Sequence, residues 1–577
     1  MNAAEPGARL GPAARATALD QLAGRPVDLL VVGGGVTGAG VALDAATRGL
    51  SVALVEKRDF GAGTSSRSSK LIHGGLRYLE QRDFRLVREA LAERALLLTR
   101  LAPHLVRTVP FLFPLRHRGW ERAYIGAGIG LYDALAGRHR AVPGHRHLSR
   151  TGALALAPGL RDDALVGAIR YHDARTDDAR FVVALLRTAV AHGARVVSGV
   201  RVERLPLGAD GMRHVTLRDT EGHRDLTVRA RVVVNATGVW SSELERAAGV
   251  PEPVSVRASK GVHLLVPAAA IDSAAALILR TERSVLLVIP WGAHWIIGTT
   301  DTDYRGTDDG GDVDRDHPAA SRADIRYLLD HVNGVLRVPL GPADVVGTYA
   351  GLRPLVDRGA GDTTGLSREH LVRRPAPGLV TIVGGKYTTY RIMARDAVDA
   401  AALELGERVD ASRTDTVPLL GAEGLPTGRG RAHAHPAAGR LAPGMVAHLL
   451  DRYGTVALAL LDAIAERAEL AGPIPGAPGY LLAEAWYAAT AEGALHLDDV
   501  LTRRTRISIE APDRGHAAAE PVARIMAPVL AWSAADVAAE VAHYRARLAA
   551  ESLAAQAPDD ARAAAARSRV RDLRLIE

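Results

Sequence analysis

The most distinctive stretch of the chain is residues 63–80, GTSSRSSKLIHGGLRYLE. Thr64, Ser65, Ser66, Ser68 and Ser69 offer hydroxyls, Gly74 and Gly75 permit close backbone approach, and Lys70, His73, Arg77 and Tyr78 add cationic or titratable tips. Such a set can hold a ligand rich in anionic oxygens, because hydroxyls bond those oxygens and cations neutralise them. The rest of the chain is sparing with one of these tips. Of 72 cationic residues only Lys57, Lys70, Lys260 and Lys386 are lysine, which leaves 68 arginines. An ammonium is a compact point charge and a guanidinium a wide planar fork. Where arginine serves almost everywhere, a surviving lysine marks a place that wants the compact charge. Lys70, Lys260 and Lys386 all fall in segments singled out on other grounds, whereas Lys57 directly follows Glu56.

These side chains need a frame. Asp28 to Val32 is an apolar run that breaks into GGGVTG and is followed by an Ala-rich helical stretch and a second apolar run, Ser51 to Val55. Strand, tight turn, helix and strand open a doubly wound parallel sheet. Gly33, Gly35 and Gly38 have the spacing of a dinucleotide turn, in which the glycines allow the turn, the approach of a pyrophosphate and close helix packing. Glu56 ends the second strand, where a carboxylate can accept hydrogen bonds from a ribose. Further along, Asn235-Ala236-Thr237-Gly238 and Gly384-Gly385 close two more strands. Returning contacts from such distant glycine turns suit a flavin dinucleotide held along its whole length, so FAD is the expected cofactor.

Composition narrows the classes. At 47 % hydrophobic and 24 % charged, the 577 residues match soluble globular chains and not disordered, collagenous or membrane-spanning ones. Absence of Cys removes disulfides, thiolate metal sites and iron–sulfur clusters, and no metal is expected. Residues 1–27 read as a loose lead-in without a secretory signal, so the protein is expected inside the cell. Asp178 to His192 reads as a helix ended by Gly193, Glu221-Gly222 as a hairpin turn, and Val254 to Pro267 with residues 284–300 as antiparallel strands around a turn at Trp291-Gly292-Ala293-His294. The expected architecture is α/β. A doubly wound, Rossmann-like FAD-binding domain spans 28–400, with an inserted mostly antiparallel substrate-binding sheet at about 254–345. A linker covers 401–430 and a C-terminal α-helical domain 431–577.

The charge of +7 is concentrated. Between Arg82 and Arg140 eleven arginines face five acidic residues. The same segment holds Leu96-Leu97-Leu98, the run Val109 to Leu115, Trp120 and Tyr124. Read as a basic helical segment over about 82–170, it has the mixture of apolar and cationic side chains that an anionic membrane surface takes up. No nucleic-acid-binding motif is present.

Residues 63–80 resemble the signature of the FAD-dependent, quinone-linked glycerol-3-phosphate dehydrogenases. The segment from Arg257 through Lys260-Gly261 to His263, Ile289-Pro290-Trp291, Ile297 to Asp301, Tyr349 to Leu355 and Gly384 to Arg391 are similar in the same order. The resemblance covers about residues 27–400 and continues more loosely to the C-terminus. It implies oxidation of sn-glycerol 3-phosphate to dihydroxyacetone phosphate, with electrons passing through FAD to a quinone. With the basic segment, peripheral attachment to the inner face of the cell membrane is expected, and so is assembly as a homo-oligomer. Arg77, Arg353 and Lys386 would hold the phosphate and polar end of the substrate, Tyr78 and His263 would line the site, and Arg368 would lie near it. Thr64, Ser65, Ser66, Ser69, Lys70, His73, Gly74, Gly75, Thr237, Gly238, Gly385, Lys386, Thr388 and Thr389 are the expected cofactor contacts beside the first glycines and Glu56. His263 is the candidate base, since imidazole titrates near neutrality. Lys386 or Lys260 is the candidate cation beside the flavin. An oxidase passing electrons to O2, an amine or amino-acid oxidoreductase of the same architecture, and a flavin-containing membrane-docking sensor stand as alternatives.

Overall fold

The structure is a computed structural model that describes residues 6–80, 82–117, 119–137, 141–282, 285–304, 314–357 and 369–576; the side chains of Pro6, Arg77 and Glu80 are not described. Arg368 lies outside the described residues.

Five parallel strands form the heart of an eight-stranded sheet, in the order Leu379–Gly384, Arg224–Asn235, Val27–Val32, Val52–Glu56 and Arg195–Ser198. Parallel strands are covered on both faces and so read as continuous apolar runs. Leu29 and Val31 meet the helices Val36–Thr47, Asp178–Ala191 and Tyr390–Leu405, while Leu30 and Val32 face the opposite layer. That layer includes the helix Pro12–Gly24, whose Leu19 and Leu22 are buried and whose Arg15 donates to Asp219 at 2.6 Å. Residues 12–24 are thus a packed element and not a loose lead-in: two leucines three apart suffice to seat a helix on an apolar sheet. The expected hairpin about Glu221-Gly222 pairs Arg213–Asp219 with Arg224–Asn235.

The second sheet has ten strands and reaches well outside the expected 254–345. Val106–Leu115 pairs antiparallel with Gly167–Thr176 along its length and parallel with Ala276–Arg280. The run Val109 to Leu115 is therefore a central strand. Leu112 packs on one face beside Leu328 and Leu329, and Phe111 and Phe113 on the other beside Val87, Ile125 and Ile129. A short apolar run has the same composition in a buried strand as on a membrane surface, and here the sheet claims it. Leu97 is likewise buried, and Leu96 and Leu98 pack on the first core.

The expected linker 401–430 is also packed. Ser412 and Thr414 both donate to Asp44, the latter at 3.3 Å, and Leu419 enters the first core. Beyond it, helices from Leu425–His433 to Asp560–Arg567 build a C-terminal layer joined to the rest by buried ion pairs. Arg504 bonds Asp59 at 2.7 Å, Arg506 bonds Asp177 at 2.6 Å, and Arg180 bonds Glu492 at 2.7 Å. Breaking one partner of such a pair costs about 3–5 kcal/mol because the other charge stays buried.

Candidate functional site

The first parallel strand ends at Gly33, which has φ +111°; a Cβ there would stand 2.6 Å from the carbonyl oxygen of Ala236. Only glycine lets the second glycine turn lie this close. A Cβ at Gly38 would overlap the Gly33 carbonyl, so this glycine serves the packing of helix on strand. Val36 N, at the helix start, donates to Ser65 Oγ at 2.9 Å, and Glu56 accepts from Gly34 N at 2.7 Å and Arg58 N at 2.9 Å. The acid and the hydroxyl loop therefore fix the turn whose amides face the cavity.

One cavity of about 480 Å3 runs from this turn to the second sheet. Gly33, Gly35, Glu56, Thr64, Ser65, Ser69, His73, Tyr78, Thr237, Gly238, His263, Arg353, Gly385 and Lys386 all line it, which brings together residues from five distant segments. Its size is that of a cofactor site. The glycine cradle, the Glu56 carboxylate at one end and the cations at the other fit a long dinucleotide.

At the far end His263 sits on the strand Val256–Pro267, opposite Tyr349 on the strand Gly347–Val356. The two rings stack at 4.7 Å and 11°, and His263 Nε2 lies 2.8 Å from Ser69 Oγ. Room for the ring comes from Gly298, since a Cβ there would be 2.9 Å from His263 Cγ. Burial first, then the charges of Arg353 and Lys70, hold the imidazole well below its usual pKa, so it is neutral at pH 7. Arg353 donates to Ser259 Oγ at 3.2 Å, to Thr299 Oγ1 at 2.9 Å and to Thr300 O at 3.2 Å, with Asp301 at 3.8 Å. These contacts orient the fork at the edge of the cavity. Lys386 Nζ lies 3.5 Å from the Tyr78 ring centroid and 3.5 Å from Gly74 O.

Other expected contacts are turned away from the cavity. Lys70 is fully buried and paired with Asp178 at 2.8 Å, so its ammonium is a structural charge. Lys260 bonds Asp324 at 2.6 Å and Asp560 at 2.5 Å and is no cation for a flavin. Ser66 is buried on the other side of its loop, where its carbonyl accepts from Lys70 at 3.3 Å. Thr388 Oγ1 accepts from His73 N at 3.1 Å and donates to His73 O at 3.2 Å; it clamps a cavity residue without lining the cavity. Thr389 starts the following helix, with its hydroxyl 3.4 Å from Lys386 O. Gly74 N donates to Tyr132 OH at 2.8 Å, and a Cβ at Gly75 would strike the Tyr78 ring. Both glycines make room for protein and not for ligand. Tyr349, Ser259 and Thr299 belong to the site as well: they fall within segments that carry the resemblance but had no role assigned, and their contacts with His263 and Arg353 supply one.

Comparison with known proteins agrees with this geometry. The family model described as FAD dependent oxidoreductase matches residues 28–399, and that of the C-terminal domain of alpha-glycerophosphate oxidase matches 412–537. Glycerol-3-phosphate dehydrogenase 2 of Mycobacterium tuberculosis is 55 % identical over 96 % of this chain and 94 % of its own. Among solved structures, the glycerol-3-phosphate dehydrogenase from Bacillus halodurans complexed with FAD superposes with a TM-score of 0.75 at 29 % identity, covering 93 % of this chain and 98 % of that one. The L-alpha-glycerophosphate oxidase of Mycoplasma pneumoniae shares the fold, with a TM-score of 0.54 at 18 % identity over 68 % of this chain and 99 % of its own.

Proposed function

Because the chain belongs to the FAD-dependent glycerol-3-phosphate dehydrogenases, we propose that it oxidises sn-glycerol 3-phosphate to dihydroxyacetone phosphate by hydride transfer and passes the electrons to a membrane quinone. The observation that carries this reading is the meeting of a dinucleotide cradle, a neutral buried imidazole and two cations in one cavity.

FAD, when bound, supplies the two-electron acceptor. The chain's own part is threefold. Arg353 and Lys386 hold the phosphate, the fork giving paired hydrogen bonds and the ammonium a point charge. His263 Nε2, which already meets a hydroxyl at 2.8 Å, takes the proton of the substrate 2-hydroxyl as C2 gives up its hydride. Tyr349 keeps the imidazole plane fixed, and Tyr78 walls the cavity beneath Lys386. Arg77 and Arg368 enter on the resemblance alone.

Anaerobic titration of the purified flavoprotein with glycerol 3-phosphate tests the proposal, with bleaching of the flavin absorbance as the expected result. A flavin that stays oxidised overturns it, and stoichiometric hydrogen peroxide in air transfers the enzyme to the oxidases.

Delivery to a quinone calls for contact with a bilayer, and we place that contact on the helices Phe84–Leu96 and Trp120–Ala136, which pack together. Trp120 is 63 % and Tyr124 55 % exposed, and Phe84 and Leu131 are exposed on the same pair, beside the exposed Arg82, Arg85 and Arg88. Aromatic and cationic side chains suit the headgroup layer. Among the described residues no helix is long and apolar enough to cross a membrane. Trp120→Ser combined with Tyr124→Ser should abolish salt-sensitive binding to anionic vesicles; unchanged binding rejects this face.

A further inference from the structure

Behind Tyr349, on the side away from His263, lies a second cavity of about 90 Å3 between the 63–69 loop, the helix Ala534–Gln556 and the C-terminal segment. Its walls include Arg67, Arg503, Arg547, Arg567 and Arg571. We propose that this cavity is a binding site for a small, multiply charged oxyanion of the phosphate class, separate from the substrate site.

Two polar groups point to a ligand. Arg67 has no carboxylate partner among the described residues; its guanidinium donates only to Asp316 O, at 3.3 Å. The Ser508 hydroxyl lines the same cavity, is fully buried and has no hydrogen-bond partner among the described residues. A buried hydroxyl left unpaired costs about 1–3 kcal/mol, which an accepting oxygen would recover.

The local acids are already committed. Glu551 serves Arg514, Arg547 at 2.9 Å and Arg567 at 3.3 Å; Asp498 serves Arg547 and, at 3.1 Å, Arg503. Asp572, 3.8 Å from Arg574, is the third lining carboxylate. Three acids thus face nine lining arginines, several of which find their partners outside the cavity. Burial, then the charges of Arg58, Arg503, Arg567 and Arg547, push the Arg67 guanidinium down to about 9. An arginine stays protonated at neutral pH, so that repulsion is carried by the fold and relieved by an anion.

Size and shape select the class. The free volume holds several waters and is too small for a nucleotide. The Arg67 fork and the Ser508 hydroxyl can both donate to an anion with two charges, and the surplus of lining arginines favours it. The shared chemistry is a phosphate group, either free orthophosphate or the end of a small phosphomonoester.

The test is calorimetric titration of FAD-loaded enzyme carrying Arg353→Ala, which disables the substrate fork, with orthophosphate against chloride at equal ionic strength. A parallel titration uses dihydroxyacetone phosphate. One saturable site is expected for at least one of the two ligands, and the stronger of them identifies the source. Adding Arg571→Ala, an exposed cation at the mouth, should raise Kd tenfold or more, and in otherwise native enzyme that substitution should leave turnover without phosphate unchanged. Arg67→Gln should do the same to Kd, with FAD content checked by absorbance because Arg67 also borders the cofactor cavity. No saturable binding, or binding indifferent to Arg571→Ala and Arg67→Gln, overturns the proposal. Failure of the dehydrogenase reading would instead show in the glycerol 3-phosphate titration and leave this one untouched.

Discussion

His263 is buried and His496 half-buried, and the molecule drives them in opposite directions. His263 stands among Arg353 and Lys70 at the end of the cofactor cavity and is held well below an ordinary imidazole. His496 bridges Glu540 at 2.6 Å and Glu221 at 3.2 Å in the seam between the C-terminal helices and the first sheet, and is pushed up to about 10 despite burial. Desolvation disfavours the cation in both places. Neighbouring charge decides the outcome: cations around the first leave a base ready at neutral pH, and carboxylates around the second make a permanent cation. A reactive group and a structural tie are thus built from one residue type by exchanging the sign of its surroundings.

Substitutions can break this contrast. The largest effect belongs to His263→Ala, which should slow flavin reduction by glycerol 3-phosphate about 10²–10⁴-fold with FAD retained, read by anaerobic stopped flow. A normal reduction rate would return the base role to another group. His496→Leu should instead leave the rate constant of the folded enzyme unchanged and cost about 3 kcal/mol of stability in a denaturant titration, since Glu221 and Glu540 lose their shared cation. Because its folded pKa is raised, the contribution of His496 is complete below the unfolded value near 6.5 and lost as pH climbs towards about 10. The variant should therefore lose less stability than the parent between those limits. Arg353→Ala should raise KM for glycerol 3-phosphate about 10–100-fold, the worth of a charge-assisted pair of hydrogen bonds. The smallest effect sharpens the comparison: with His263 depressed, the rate of flavin reduction should change less than about twofold between pH 7.5 and 6.0, whereas an ordinary imidazole would be mostly protonated by the latter. An acid limb near 6.5 would show that the surrounding cations do not act as described.

Much of the cofactor end was legible in the sequence because it is local. Gly33, Gly35 and Gly38 with the flanking strands all lie within residues 27–56, and their geometry follows from turn chemistry alone. The scarcity of lysine was a true signal with a mixed meaning. Lys386 does reach the cavity, but the reason for Lys70 is Asp178 and the reason for Lys260 is Asp324 with Asp560, partners that are distant in the chain. A slot between carboxylates wants a compact charge as much as an active site does, and composition cannot separate the two. Tyr349 was marked by its segment, but its role escaped for a related reason: its pairing with His263 is a matter of strand register. Val109 to Leu115 was misread because a strand buried on both faces and an interfacial segment are equally apolar.

The bond from Lys260 to Asp560 has a consequence for how the enzyme comes into being. Lys260 lies three residues before His263, on the strand that faces Arg353, yet one of its two counter-charges is made 300 residues later. At about 5–20 residues per second, a ribosome needs roughly 15–60 s to travel that distance. Asp324 follows Lys260 by 64 residues, and from its synthesis until that of Asp560 it is the only one of the two counter-charges present. The full set of counter-charges on this strand therefore waits for the last helices, and a chain released early would lack both its C-terminal layer and one of the two carboxylates that hold Lys260.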